Sequence, residues 1–417
     1  MSGPRHEVEG PGSSVTAFVV AMGLSAAGVT MAMLGATAIT AATNGGARGA
    51  LWTGAFLCLL FVTKAASIRF IPVWSDRLGP ERMFLLTNLL SVVLWGGAGA
   101  AVLLGAPGTV VILAIAPLVG IVNAVFAVET PLLSKAFLSG HSMAAANARV
   151  AVARGVACAV GAIAAGALIN AFGPGWALIA RAVLSIPLAL VLLQVTNTAA
   201  ERVLAPQAAA DPEEPPEGPI ILADPAVRRV VLLAVALTAA TAPVIAMIVP
   251  IAQSLRQTPL VIGASIMTAA MATGQLLSPF FVHRLEHRER RGHDSLTGAL
   301  LATAGSLIAF GIASTLLSHG PELAAWVVIG LAFGGLESAS HSMVLGHLVA
   351  ASGSFDARRS LAIMKFATNL AAPAGFITWA VLLNTTNGQT SILAAAAALV
   401  VATLVIGRPA DRAAVPA

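Results

Sequence analysis

Seven ionisable residues interrupt stretches of the sequence that are otherwise apolar: Lys64, Arg69, Glu129, Arg154, Arg181, Glu337 and Lys365. A charge placed in hydrocarbon costs about 2.5–3.5 kcal/mol on insertion scales, so such residues are seldom idle. Two kinds of chemistry are open to these residue types. A buried carboxyl can carry a proton, since burial and a neighbouring base push its pKa in opposite directions. A buried base can pair with an anion, and lysine suits a titrating or ligand-pairing role better than arginine does. The chain has only three lysines, Lys64, Lys135 and Lys365, and two of them lie in apolar stretches.

Spacing gives these residues a relative depth. Lys64 lies twelve residues before Asp76, which at 1.5 Å per residue puts it ~18 Å above the inner face. Glu337 and Lys365 are about equally far from a turn near Ala351, and Glu129 and Arg154 from a turn near His141. Equal distance along two arms means equal depth, so each acid is expected to pair with its base. Such a pair serves as scaffold or as switch. Glu337 is the deeper acid and the expected proton carrier. Glu129 is nearer the inner boundary, and its role stays open between structure and function. His341 and His347 are candidates to relay protons or simply to line the interior. Asn123 and Gln275 are candidate hydrogen-bonding groups. Arg69 is expected to snorkel to the inner face. Arg181 needs a partner that the sequence does not name.

The elements that position these residues follow from composition. The chain has 417 residues, of which 58% are hydrophobic and 10% charged. Soluble domains carry about 25% charged residues, so most of this surface is expected to face lipid. A helix needs roughly 20 apolar residues to cross a ~30 Å hydrocarbon core. Twelve such stretches occur, at 15–41, 50–74, 83–105, 109–133, 150–171, 175–196, 227–252, 259–283, 295–317, 322–347, 360–384 and 389–407. They lack the ten-residue alternation of a β-barrel. The fold expected is all-α, twelve membrane helices in two bundles of six. Residues 197–225, with a core of Pro and Glu at 211–219, read as a solvated linker between the bundles. Residues 1–14 and 409–417 read as tails, and the polar start does not resemble a cleavable signal peptide.

Lys and Arg in the loops give an orientation. With the N-terminus inside, sixteen loop bases fall inside and two, Arg48 and Arg256, outside. That asymmetry places both termini in the cytoplasm. The basic stretch at 283–293 is then a topology determinant rather than a nucleic-acid patch. The halves also resemble each other. Gly120 aligns with Gly330, Arg154 with Lys365, and Gly161 and Ala162 with Ala372 and Pro373. Parallel repeats of this kind occur in transporters. Cys58 and Cys158 lie in apolar stretches and suggest neither a disulfide nor a metal site. Neither a nucleotide loop, a metal-spaced His/Cys set nor a nucleophile motif is present, so neither an enzyme nor a cofactor is expected.

After the second span come Pro72, Asp76, Arg77, Gly79 and Arg82. This stretch resembles the loop signature of the major facilitator superfamily, Gly-x-x-x-Asp-Arg-x-Gly-Arg-Arg, with Asp76, Arg77 and Gly79 matching. In the fifth span Ala157, Gly161, Ala162, Ala165 and Gly166 keep the small-residue spacing of an exporter motif but lack its proline. The resemblance, most like the drug and metabolite exporter branches, implies a V-shaped pair of six-helix bundles. It implies a cavity lined by spans 1, 4, 7 and 10, with spans 2, 5, 8 and 11 at the interface. Asp76, Arg77, Gly79 and Arg82 would form a conformational gate. Lys64, Glu337, Lys365, Arg154, Glu129, Asn123 and His341 would handle substrate and protons. The expected activity is secondary transport, as proton-coupled export by a monomer in a bacterial plasma membrane. The alternatives are uptake, or a sensor or scaffold on the same fold. With five bases against two acids inside the membrane, no acid in span 1 and no tyrosine for a cation cage, the expected solute is neutral or anionic, and amphipathic.

Overall fold

A computed structural model describes residues 12–42, 47–137, 143–199, 224–254, 260–289, 294–316 and 319–407. Among these residues every regular element is a helix. The first half holds α1 (Gly12–Ala42), α2 (Ala47–Ile68), α3 (Ile71–Leu78), α4 (Pro80–Leu103), α5 (Gly108–Phe137), α6 (Met143–Phe172) and α7 (Pro174–Ala199). The second holds α8 (Pro225–Ala246), α9 (Ile248–Ser254), α10 (Leu260–Leu276), α11 (Ser278–Glu289), α12 (Ser295–Leu316), α13 (His319–Thr385) and α14 (Gly388–Ile406). Eleven stretches within these helices are long and apolar enough to cross a membrane. The pair α10 and α11, bent by 49°, makes a twelfth. Lipid offers the backbone no hydrogen-bond partners, which is why apolar stretches of this length close on themselves as helices. The hydroxyls do the same: Thr37, Thr87, Thr241 and Thr403 each donate to a carbonyl four residues back.

Three expected spans are broken rather than continuous, each near a proline. The second ends at Ile68, not residue 74, because Pro72 lacks the amide proton that would continue the ladder. Lys64 therefore stands four residues, or ~6 Å, from the end of α2, with the break and α3 between it and Asp76. The seventh breaks at Met247, between Pro243 and Pro250, and the eighth at Leu277, before Pro279. The tenth and eleventh spans behave in the opposite way and run together as α13. That helix doubles back on itself. His341 and Lys365 would stand ~36 Å apart along a straight axis, yet they line one cavity.

The helices pack through small residues, as expected where lipid is as apolar as leucine. A Cβ on Gly161 of α6 would sit 2.7 Å from the Ala27 carbonyl oxygen of α1, and one on Gly375 of α13 would sit 2.6 Å from the Ala239 carbonyl oxygen of α8. The fifth span meets the first as the eleventh meets the seventh. Gly120 likewise abuts α2 as Gly330 and Gly334 abut α10. The sequence repeat is thus a repeat of close approaches. Between the halves α2 packs on α13 and α6 on α10. Phe61 meets Phe376 edge-on at 5.1 Å, and Gly166 lies against Ser265. At the far end from the start of α1, the buried α9 touches both α1 and α2. The halves are therefore in contact at that end.

Candidate functional site

A cavity of about 480 Å³ lies within the first half, walled by α1, α2, α5, α6 and α7. Met22, Thr130 and Val150 line it, and all three belong to the ends of their helices nearer the start of α1. Its apolar wall includes Met33, Leu60, Phe61 and Phe126. Its polar groups are Ser25, Asn123, Thr130, Lys64, Arg154 and Arg181. Three bases thus line one space without an acid among the lining residues. The expected wall of spans 1, 4, 7 and 10 is replaced here by spans 1, 2, 4, 5 and 6.

Arg181 is 2% exposed and held by neutral groups alone among its described hydrogen bonds. Its Nη1 donates to the Ser25 carbonyl at 2.8 Å and to Ser25 Oγ at 2.9 Å, and its Nη2 donates to Ser91 Oγ at 3.1 Å. Three helices, α1, α4 and α7, converge on this guanidinium. Arginine is suited to this because its planar fork offers five donors in fixed directions. These are the partners that sequence reading could not name.

Lys64 is half-buried, with its ammonium 5.3 Å from the centre of the Phe61 ring. Arg154 and, from the second half, Lys365 are close enough for their charges to act on it. Both are exposed. The expected pairing of Arg154 with Glu129 is not among the described ion pairs. Glu129 is 1% exposed and stands outside the cavity lining, whereas Arg154 lines it.

A second cavity, of about 220 Å³, lies in the other half between α8 and the two arms of α13. His341, Ser338, Lys365 and Thr368 line it. Glu337 is 8% exposed, and its Oε1 lies 3.0 Å from His341 Nδ1. The expected Glu337–Lys365 pair is replaced by this one. A neighbour four residues along the same helix face reaches the carboxylate first. Lys365 remains near enough for its charge to be felt at His341.

The remaining candidates fall elsewhere. Gln275 is exposed and lines neither cavity, while Asn123 lines the larger one. His347 caps its own turn through Met343. Arg69 sits at the break after α2, its guanidinium 4.6 Å from the Phe70 ring centre. In the loop motif, Gly79 has φ +81° and its amide donates to the Ser75 carbonyl at 2.8 Å, closing α3 before Pro80 opens α4. A residue with a Cβ would be strained there. Arg77 and Arg82 are exposed, and the side chain of Asp76 lies outside the described residues.

The sequence matches the family model of the Major Facilitator Superfamily over residues 13–376. The chain therefore belongs to that superfamily, and is a multi-pass membrane protein with the fold of its transporters. No curated protein matches it. Among solved structures, a mutant of the nucleoside transporter NupG superimposes with a TM-score of 0.71 at 13% identity, covering 95% of this chain and 99% of that one. The inward-open xylose transporter XylE from E. coli gives 0.68 at 14% identity, covering 94% and 95%. A bacterial homologue of the iron transporter ferroportin, in its inward-facing state, gives 0.68 at 13% identity, covering 94% and 97%.

Proposed function

We propose that this protein is a secondary active transporter that moves a small amphipathic organic solute, neutral or anionic, across the bacterial plasma membrane. It works by alternating access, coupled to protons, and runs in the export direction with both termini in the cytoplasm. The observation that carries this reading is the set of ionisable groups lining cavities inside membrane helices. One cavity is lined by Lys64, Arg154 and Arg181; a second, in the other half, is lined by Lys365 and by His341, which pairs with Glu337 behind it. A scaffold could replace these groups with leucine and avoid the cost of burying them.

The contacts at the α9 end, with the larger cavity lined toward the opposite end, support an inward-facing conformation. The similar nucleoside, xylose and iron transporters carry no direction in their names, so export rests on the small-residue motif of α6. In this scheme Glu337 and His341 share a proton, and the solute and the proton compete to neutralise the bases nearby. The test is proton movement in proteoliposomes on adding 4-toluenesulfonate, read with a trapped pH dye. Wild type should give a solute-dependent pH change, and Glu337→Gln and Lys64→Ala should each reduce it at least fivefold. Coupling in both variants equal to wild type overturns these assignments.

A further inference from the structure

The larger cavity carries a charge that its own lining does not balance. Lys64, Arg154 and Arg181 line it, and among the described residues neither aspartate nor glutamate does. None of the three forms an ion pair with another described residue. The smaller cavity differs, because Glu337 stands beside His341 there. Packing brings the bases of the larger cavity to neighbouring levels. A Cβ on Gly23 of α1 would sit 3.6 Å from the carbonyl oxygen of Ala153, the residue before Arg154, and Arg181 bonds to Ser25 two residues further along α1. Two residues span ~3 Å of helix axis, so α6 and α7 bring their arginines to α1 at one level. Gly120 of α5 abuts α2 at Lys64, and Asn123, one turn further along α5, lines the same cavity.

Arg181 is the fixed member of the set. Its bonds to Ser25 and Ser91 use three of its five donors. Its Nε is buried without a hydrogen-bond partner among the described residues. Both serines are neutral, so they hold the guanidinium without cancelling its charge. Between apolar walls Coulomb energies exceed their values in bulk water several-fold, and what this space lacks is a negative charge.

We infer that the larger cavity is a complete binding site for an organic anion, its acidic group held by Lys64 and Arg154 beside the fixed Arg181 guanidinium, all within the first half of the chain. This rests on the transport reading and narrows its solute from neutral or anionic to anionic. Arg154 offers a planar fork for a carboxylate or sulfonate, and Lys64 adds a point charge. Size argues for an organic body on that acid. The volume of about 480 Å³ falls within the roughly 300–1,000 Å³ of sites that enclose drug-sized molecules. Met33, Leu60, Phe61 and Phe126 give that body an apolar wall.

The full-length protein in nanodiscs of zwitterionic lipid should be titrated calorimetrically with 4-toluenesulfonate. The matched probes are 4-toluenesulfonamide (neutral), 4-methylbenzylammonium (cationic) and inorganic sulfate (an anion without an apolar body). 4-Toluenesulfonate should bind about tenfold or more tighter than each of the three. Lys64→Gln and Arg154→Gln should each weaken it about tenfold and leave the sulfonamide unaffected. Arg48→Gln, at the far end of the Lys64 helix, should leave it unchanged. Without ligand, Lys64→Gln and Arg154→Gln should melt no lower than wild type, because one of three like charges has gone. A lower melt makes that base structural and overturns its place in the site. Equal binding of 4-methylbenzylammonium or of sulfate, no binding of 4-toluenesulfonate, or no response to either variant overturns the site. A loss in Lys365→Gln as large as in Lys64→Gln overturns its confinement to the first half. Nanodiscs containing phosphatidylglycerol separate a soluble solute from a lipid headgroup. Affinity for 4-toluenesulfonate falling in proportion to the anionic lipid makes the occupant a lipid and overturns the solute assignment, whereas unchanged affinity supports it. If the binding pattern holds but 4-toluenesulfonate does not cross proteoliposomes, the transport reading fails and the site stands. If it crosses with both variants insensitive, the site fails and transport stands.

Discussion

Gly120→Ala perturbs the support beneath Lys64 without touching a charge. Gly120 lies on α5 against α2. A Cβ there would overlap the Leu60 carbonyl oxygen and Thr63 Oγ1, and would come within 3.1 Å of the Lys64 amide nitrogen. Thr63 Oγ1 can rotate, but only by giving up its bonds to the Leu59 and Leu60 carbonyls at 2.7 and 3.1 Å. The Leu60 oxygen belongs to the helix backbone and cannot turn aside, so α2 and α5 must part by about 1 Å, an overpacking that costs about 1–3 kcal/mol. For a chain of this size about 2 kcal/mol lowers the melting temperature by about 2 °C. Gly97→Ala is the matched control. That glycine also lies inside a helix, with nothing within 4 Å of its would-be Cβ, and alanine there should gain about 0.5–1 kcal/mol through lost chain entropy. Thermal unfolding in detergent, followed by tryptophan fluorescence, reads both. If Gly120→Ala melts with or above wild type, the close approach of α2 and α5, and with it the placement of Lys64, is wrong.

Two other variants test single sites. Ser91→Ala removes one of the three bonds that hold Arg181 and should cost about 1 kcal/mol, seen as a melt about 1 °C lower; a melt equal to wild type would mean that Arg181 does not use this hydroxyl. Asp294 opens α12 by accepting from the Thr297 amide at 3.1 Å and hydroxyl at 2.8 Å and from Arg229 at 2.7 Å. Burial alone would raise its carboxyl pKa, but the Thr297 bonds and the Arg229 guanidinium outweigh it and hold the group below the usual carboxylate range. Its contribution is therefore present above the ordinary carboxyl pKa and is lost as pH falls through the depressed value. Asp294→Ala should cost about 1 kcal/mol of helix-capping stability at neutral pH, with the difference from wild type shrinking below about pH 4. A difference that persists at the acid end would place the effect elsewhere.

Apolar length made the spans legible, and loop arginines gave them a direction, because both signals are local in sequence. Breaks were signalled too: Pro72, Pro243, Pro250 and Pro279 stand near each interruption, though a proline in a membrane helix also occurs without one, as Pro187 in α7 and Pro373 in α13 do. Depth could be counted from a turn, but facing could not. Arg154 lines the larger cavity and Glu129, buried, does not. The Glu337–His341 contact is legible as a spacing of four on one helix face. The ties from Arg181 to Ser25 and Ser91 were not visible at all, because they join α7 to α1 and α4 across separations of 156 and 90 residues.

The most direct test of the account is movement of 4-toluenesulfonate, an anion that stays ionised throughout the accessible pH range, in proteoliposomes with an imposed pH gradient. Accumulation above equilibrium should track the gradient, collapse with a protonophore, and drop at least tenfold in Lys64→Gln. Flux no faster than in protein-free liposomes, or flux that ignores both the gradient and Lys64→Gln, would contradict it.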